Sequence, residues 1–114
     1  MAALKKRYYP KIDEEVYSAI LDNGMSLSII KKKGFVEKVA FLSTNFGALD
    51  NHFYIDGESQ SYPAGIAHFL EHKLFEDEQG RDVTLDFVKL GADVNAFTTL
   101  EKTTYYFSTL DHFE

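Results

Sequence analysis

The fold of this chain is organised around the stretch Gly65-Ile66-Ala67-His68-Phe69-Leu70-Glu71-His72, which follows Tyr62-Pro63. Proline is favoured in the first turn of a helix, and no further proline occurs before Phe75. We therefore predict a helix over residues 64–75. On such a helix His68 and His72 lie one turn apart, so both imidazoles project from the same face, and Glu71 lies on that side too.

This His-x-x-Glu-His order has a chemical meaning. Two imidazoles one turn apart can bind a borderline-soft cation such as zinc, and a neighbouring carboxylate can act as a general base toward water. The order is that of the inverzincin motif of metallopeptidases. The bare five-residue pattern also fits a surface helix with two solvated histidines, and that alternative stays open at this point.

The predicted helix also has an apolar side. At about 100° per residue, Ile66, Phe69 and Leu70 share one broad face, with Ala67 and Leu74 at its edge. We expect a sheet to cover this face and the polar groups to lie opposite.

Composition limits the classes of protein. The 114 residues are 45% hydrophobic and 15% aromatic, which is typical of one globular domain. There is no cysteine, so a zinc site would have to use histidine and carboxylate ligands, and we expect a reducing, cytoplasmic location. Residues 1–10 lack the apolar run of a secretory signal, and no apolar stretch reaches the ~18 residues of a membrane span. The net charge of −6 argues against a nucleic-acid partner.

The remaining sequence predicts an α+β fold, in which a largely antiparallel sheet carries the motif helix and a second helix. Val39 to Leu42 is apolar on both faces and predicts a central strand. Before the motif helix, the predicted elements are a polar arm at 1–14, strands Val16–Leu21, Met25–Ile29 and Val36–Phe46, and a long polar connection at 47–61 with room for one short strand. After it, we predict a helix over Val83–Leu90, which has Asp82 as its N-cap, Gly91 after its last turn, and a buried side formed by Val83, Phe87, Val88 and Leu90. Strands Val94–Thr99 and Thr103–Leu110 follow.

Two features allow two interpretations each. The lysines at positions 31–33 form either a basic patch or, as we favour, a solvated hairpin end. His52 is either a lone loop histidine, which we favour, or a third metal ligand.

Three blocks of the sequence resemble peptidase family M16, which includes insulin-degrading enzyme, pitrilysin and the mitochondrial processing peptidases. The blocks are Gly65–Phe75, Leu90–Thr98 and Glu101–Tyr106, and their order and spacing are family-like. The loop Leu49–Phe53 most resembles that of small bacterial, processing-peptidase-like members. The resemblance covers most of the chain, from the first hairpin onward.

The resemblance implies a zinc-dependent metalloendopeptidase with one zinc per complete domain. It implies that His68 and His72 bind the metal and that Glu71 is the general base. It also implies that Asn95-Ala96-Phe97-Thr98 forms the floor of the active site, where an extended peptide substrate pairs with the strand by β-augmentation. Glu101 matches a frequent family acid, although a simple turn carboxylate is the alternative.

One departure from the family pattern carries two further expectations. The third zinc ligand of the family is a glutamate on a helix that follows the strand corresponding to Thr103–Leu110, and residues 1–114 contain no such helix. We therefore expect an amino-terminal portion of a single, incomplete M16 metallohydrolase domain that binds zinc weakly or not at all and is inactive alone. The residues that could in principle replace this ligand are His52, Glu76, Glu78 and His112, but none has a spacing that orients it.

The family also includes two-subunit assemblies with one inactive member. The alternative function is therefore a non-catalytic, peptide-binding or partner-supporting subunit. Both the enzyme and such a subunit could form a homodimer or a heterodimer with another M16-type chain. The intact His68, Glu71 and His72 favour the enzyme.

Overall fold

The computed structural model describes residues 3–110, which form two compact units that divide between Phe35 and Val36. The first unit is an antiparallel sheet of three strands in the order β1-β2-β3. These strands are β1 (Lys5–Tyr9), β2 (Glu14–Ile20) and β3 (Ser26–Ile30). Within residues 3–110, no helix is long and apolar enough to cross a membrane.

The predicted polar arm at residues 1–14 is wrong, because Lys5–Tyr9 pairs with β2. Long charged side chains stabilise this strand by lying against their neighbours on β2. Lys6 forms an ion pair with Glu15 at 2.5 Å and also lies 5.9 Å from the ring centre of Tyr17, which is its partner in the register. Cross-strand pairs of this kind stabilise a sheet although the strand looks polar in the sequence.

The second unit is a sheet with helices packed on it. Its elements are β4 (Lys38–Thr44), β5 (His52–Ile55), β6 (Glu58–Ser61), α1 (Ile66–Lys73), α2 (Thr84–Lys89), β7 (Ala92–Thr98) and β8 (Thr103–Thr109). The main sheet is antiparallel with the order β4-β8-β7. Helix α1 packs on β7 and β8, and α2 packs on β7. The predicted α+β class and the packing of both helices on an antiparallel sheet are confirmed.

The predicted central position of residues 39–42 is wrong. Among the described strands, β4 pairs only with β8, so β4 is an edge strand and β8 is central. The side chains of Phe41 and Leu42, on opposite faces of β4, are 68% and 58% exposed. Apolar character on both faces shows only that a strand lacks a polar face. The pairing order, which depends on distant residues, decides which strand lies in the middle.

The polar connection between β4 and α1 contains two strands instead of one. Asp56 and Gly57 both have positive φ angles, 51° and 82°, so a two-residue turn of the type I′ kind joins β5 to β6. Asp-Gly is a preferred sequence for this turn, so the residues at 56 and 57 indicate a hairpin here. The hairpin is held by Phe53, whose ring stacks on Tyr62 at 5.6 Å and meets Phe46 edge-on at 5.5 Å.

Helix α1 packs on the sheet with only the edge of the predicted apolar face, at Ala67, and with the side that carries Glu71. Ala67 and Glu71 are its buried residues, whereas the side chains of Phe69 and Leu74 are 60% and 58% exposed. Small Ala67 lets the helix backbone approach the sheet closely, and Glu71 is hydrogen-bonded by the sheet. Amphipathic periodicity locates the apolar side of a helix, but it does not say which side the neighbouring strands cover.

Helix α2 begins and ends close to the predicted positions. Val83 is its N-cap and makes no side-chain hydrogen bond there, whereas Asp82 Oδ1 accepts the backbone N–H of Thr84 at 2.9 Å. Gly91 follows the helix with a φ of 70°, as predicted. The predicted buried side is half right, because Val83 and Phe87 are half-buried and two others are exposed. These two are Val88 and Leu90.

Candidate metal centre

Three side chains of α1 converge on one side of the helix. The Nε2 atoms of His68 and His72 lie 3.0 Å apart. A carboxylate oxygen of Glu71 and one ring nitrogen from each histidine all lie within 4.8 Å of one another. The helix begins after Gly65, which has a φ of 92°. This left-handed backbone conformation is readily adopted by glycine and rarely by other residues. The predicted convergence of these three residues is present in the structure.

The two imidazoles suit a zinc ion. Zinc–nitrogen bonds are about 2.0–2.1 Å long, so two nitrogens on one ion lie no more than about 4.2 Å apart. The separation of 3.0 Å between the Nε2 atoms of His68 and His72 meets this limit. Both rings are exposed on the helix, so an ion can reach them from solvent. The donor set, two nitrogens beside a carboxylate, has the chemistry that zinc prefers.

The 3.0 Å contact between the two Nε2 atoms also has the length of a hydrogen bond between the rings. A hydrogen bond between two Nε2 atoms requires that one of them carries the hydrogen and the other accepts it. A metal requires both lone pairs, so both rings would then carry their hydrogen on Nδ1. A shared metal and a hydrogen bond between the rings therefore require different tautomers of one ring.

Glu71 has a different environment from the histidines. Its side chain is 7% exposed, and Thr98 Oγ1 on β7 donates a hydrogen bond to its Oε2 at 2.5 Å. A buried carboxylate is costly unless it is hydrogen-bonded, and this hydroxyl supplies such a bond. Burial, and secondarily the negative charge of Glu71, raise the pKa of Tyr105 on the neighbouring strand. The sheet thus places the hydroxyl group of Thr98 directly against the carboxylate.

A cleft of about 420 Å³ opens beside these residues. Its walls come from the motif helix, from β7 and from the loop after β4. The lining residues are Ala48, Gly65, His68, Glu71, Ala96, Phe97 and Thr98. Ala48 was not among the site residues predicted from the sequence. The sequence feature that could have indicated Ala48 is the pair of small residues at 47 and 48, which directly follows the predicted strand Val36–Phe46.

A close backbone approach holds the Ala48 loop in place. The backbone N–H groups of Ala48 and Leu49 donate to the carbonyls of Thr99 and Leu100 at 2.9 and 3.0 Å. Gly47 permits this contact, since a Cβ there would lie 2.5 Å from the backbone nitrogen of Lys102. The loop therefore forms a fixed wall of the cleft.

The predicted substrate strand, residues 95–98, lies at the end of β7. This strand pairs only with β8 among the described strands, so its other edge is free. Ala96 and Thr98 share the face that meets α1, and Asn95 and Phe97 alternate to the opposite face. Asn95 Oδ1 accepts the backbone N–H of Ala96 at 2.8 Å, and the ring centre of Phe97 lies 6.2 Å from that of Tyr106.

The other residues considered as ligands lie outside the group. His52 Nε2 is hydrogen-bonded to Ser59 Oγ at 3.1 Å within the β5–β6 hairpin. Glu76 forms an ion pair with Lys73 at 2.6 Å. Glu101 lies exposed in the turn between β7 and β8. Of the described residues, only His68, Glu71 and His72 form a cluster of this kind, and His112 falls outside the described residues.

Comparison with known proteins places the chain in a family. A family model described as insulinase, peptidase family M16, matches residues 58–112. Bacillus subtilis has a relative named uncharacterized zinc protease YmfH, which is 42% identical over 113 residues, or 97% of this chain. The chain belongs to peptidase family M16. It spans 26% of the length of YmfH.

Solved structures agree with this assignment. A crystal structure described as that of an M16-like peptidase from Alicyclobacillus acidocaldarius superposes with a TM-score of 0.75 and 40% identity. The match covers 83% of this chain and 22% of that one. Pitrilysin superposes with a TM-score of 0.68 at 22% identity, over 96% of this chain and 12% of that one, which supports the fold alone.

Proposed function

We propose that the full-length protein carrying this segment is a zinc-dependent endopeptidase that acts on extended peptides. The observation that carries the proposal is the pair of Nε2 atoms of His68 and His72 at 3.0 Å, with the carboxylate of Glu71 beside them and a cleft in front. The relationship to proteins named zinc proteases supports it.

In this proposal His68 and His72 hold the metal, which when bound polarises the scissile carbonyl and makes water more acidic. Glu71 removes the proton from the attacking water and later delivers it to the leaving amine. Its position beside both histidine nitrogens favours this role, since a general base must lie within reach of the proton that it removes.

The free edge of β7 binds the substrate. An extended peptide can add to this edge through main-chain hydrogen bonds, which do not depend on the peptide sequence. Residues 95–98 would supply these bonds, and the cleft between Ala48 and Phe97 would receive a substrate side chain. Because the Ala96 N–H is bonded to Asn95 Oδ1 in this structure, the amide of Asn95 must turn away before a peptide can use that donor.

The test is Glu71→Gln in the full-length protein, assayed on unstructured peptides while zinc content is measured. We expect kcat to fall about 10²- to 10⁴-fold with zinc still bound, since general base catalysis contributes that much. Glu78→Gln, at an exposed loop carboxylate, is the control and should leave kcat unchanged. Cleavage by Glu71→Gln at the parental rate with zinc bound would show that the assigned role is wrong.

We also propose that residues 1–114 alone bind zinc weakly and cleave no peptide. Catalytic zinc sites take three protein ligands as a rule, and this segment offers two histidines plus a carboxylate that is engaged by Thr98. Calorimetric titration with zinc at neutral pH, beside His68→Ala and His72→Ala, measures this directly. Tight one-to-one binding that either substitution abolishes would contradict the proposal.

A further inference from the structure

We propose that Thr98 is a positioning residue, whose hydroxyl fixes the rotation of the Glu71 carboxylate. The role of that carboxylate in peptide hydrolysis rests on the function proposed above. The contact between the two side chains does not depend on that function. The substrate-binding role predicted for Thr98 uses its backbone, whereas its hydroxyl is directed at the helix, where it contacts Glu71.

The hydrogen-bond partners of two threonine hydroxyls support this assignment. Thr98 Oγ1 lies 2.5 Å from Glu71 Oε2 and donates to it. Thr103 Oγ1 lies 2.7 Å from the carbonyl oxygen of Phe46 and donates to that. A hydroxyl has one proton to give. Both protons are therefore used, and the 3.4 Å contact between the two hydroxyls adds no further strong bond. The Thr98 proton is committed to Glu71.

The carboxylate needs such a partner. The last torsion of a glutamate side chain is broad and roughly two-fold, so packing alone holds it poorly. The bond from Thr98 fixes Oε2 and thereby leaves Oε1 of Glu71 as the oxygen that is free for proton transfer. Proton transfer requires a distance of about 2.6–3.2 Å, so a carboxylate that rotates spends less time in a productive position.

Thr103 makes the position of Thr98 rigid. The two residues are directly opposite each other in the β7–β8 register, and the side chain of Thr103 is 2% exposed. The bond from Thr103 to Phe46 also anchors the chain just before the loop that places Ala48 in the cleft wall. One pair of threonines therefore holds both the proposed base and the opposite wall.

The catalytic test uses Thr98→Val, which keeps the shape and removes the hydroxyl, and Thr98→Ser, which restores the hydroxyl. The control is Thr104→Val, since Thr104 is also buried but bonds to Ser43 at 2.8 Å on the other face of the sheet. In the zinc-loaded full-length protein, we expect Thr98→Val to lower kcat about 10- to 100-fold, as a lost bond to a charged group would. We expect KM and zinc content to stay close to parental values.

Thr98→Ser should recover most of the lost kcat, and Thr104→Val should retain the parental kcat. Three results would overturn the assignment: a parental kcat in Thr98→Val, an equal loss in Thr104→Val, or no recovery in Thr98→Ser.

A second measurement needs no activity. In the metal-free protein, Thr98→Val should lower the midpoint of thermal unfolding, and this shift should largely disappear when Glu71→Ala is already present. Thr104→Val should shift the midpoint equally with and without Glu71→Ala. If the parent protein cleaves no peptide, the proposed function fails, and this cycle still decides whether Thr98 holds Glu71. Additive shifts for Thr98→Val and Glu71→Ala would overturn the inference.

Discussion

Gly47→Ala tests how closely the loop before the β5–β6 hairpin must approach the turn between β7 and β8. A Cβ on residue 47 would lie 2.5 Å from the backbone nitrogen of Lys102 and 2.6 Å from backbone atoms of Glu101. Side-chain rotation cannot relieve a clash with main-chain atoms, so the loop must move away from the turn. That movement breaks the backbone bonds that Ala48 and Leu49 donate.

The cost of Gly47→Ala follows from these contacts. Two backbone hydrogen bonds contribute about 0.5–1.5 kcal/mol each. Overpacking adds about 1–3 kcal/mol. Alanine also lowers the conformational entropy of the unfolded chain, which offsets about 0.4–1 kcal/mol of this loss. We expect a net loss of about 3 kcal/mol in the free energy of unfolding, within limits of about 1 and 6 kcal/mol.

Urea unfolding followed by circular dichroism measures this loss, with Gly57→Ala as the control. Gly57 has a positive φ of 82° and no atom within 4 Å of an added Cβ. Gly57→Ala should therefore cost only about 1–2 kcal/mol, the strain of a left-handed alanine. A Gly47→Ala variant that is no less stable than Gly57→Ala would refute the proposed close approach. Because Ala48 moves with the loop, peptide affinity should fall as well in the full-length protein.

Two further predictions concern stability. The backbone N–H of Arg81 donates to Asp77 at 2.8 Å and is the main reason that the pKa of this carboxyl lies below its usual value of 3.8. A carboxyl whose pKa is lower in the folded than in the unfolded state stabilises the fold at pH values above the unfolded-state pKa. This stabilisation is lost as the pH falls through the folded-state pKa. In urea unfolding, the stability difference between the parent and Asp77→Asn should be constant above about pH 5 and shrink below about pH 4. A difference that does not change down to pH 3 would contradict this reasoning. Thr103→Val should cost about 1–3 kcal/mol, because the part-buried carbonyl of Phe46 loses its donor. Thr103→Ser should retain most of that stability, and equal losses in the two variants would indicate that packing dominates.

Local features of the chain were predicted well from the sequence. The spacing of His68, Glu71 and His72 brings them to one face of any helix, whatever packs against it. The helix over α2, the β2–β3 hairpin and the pair of strands at the end also follow from periodicity and turn residues, which act over a few positions. The roles assigned to the three motif residues remain proposals.

The order of the strands and the choice of helix face depended on the tertiary structure. The apolar pattern of β4 and of α1 is real, but β8 took the central position, and the sheet covered Ala67 and Glu71 instead of Phe69. The bond between Thr98 and Glu71 joins residues 27 positions apart. Such contacts depend on which surfaces meet and how closely backbones can approach. Periodicity along a single element carries no information about its neighbours, and for that reason the sequence located the motif but only the fold showed what holds it.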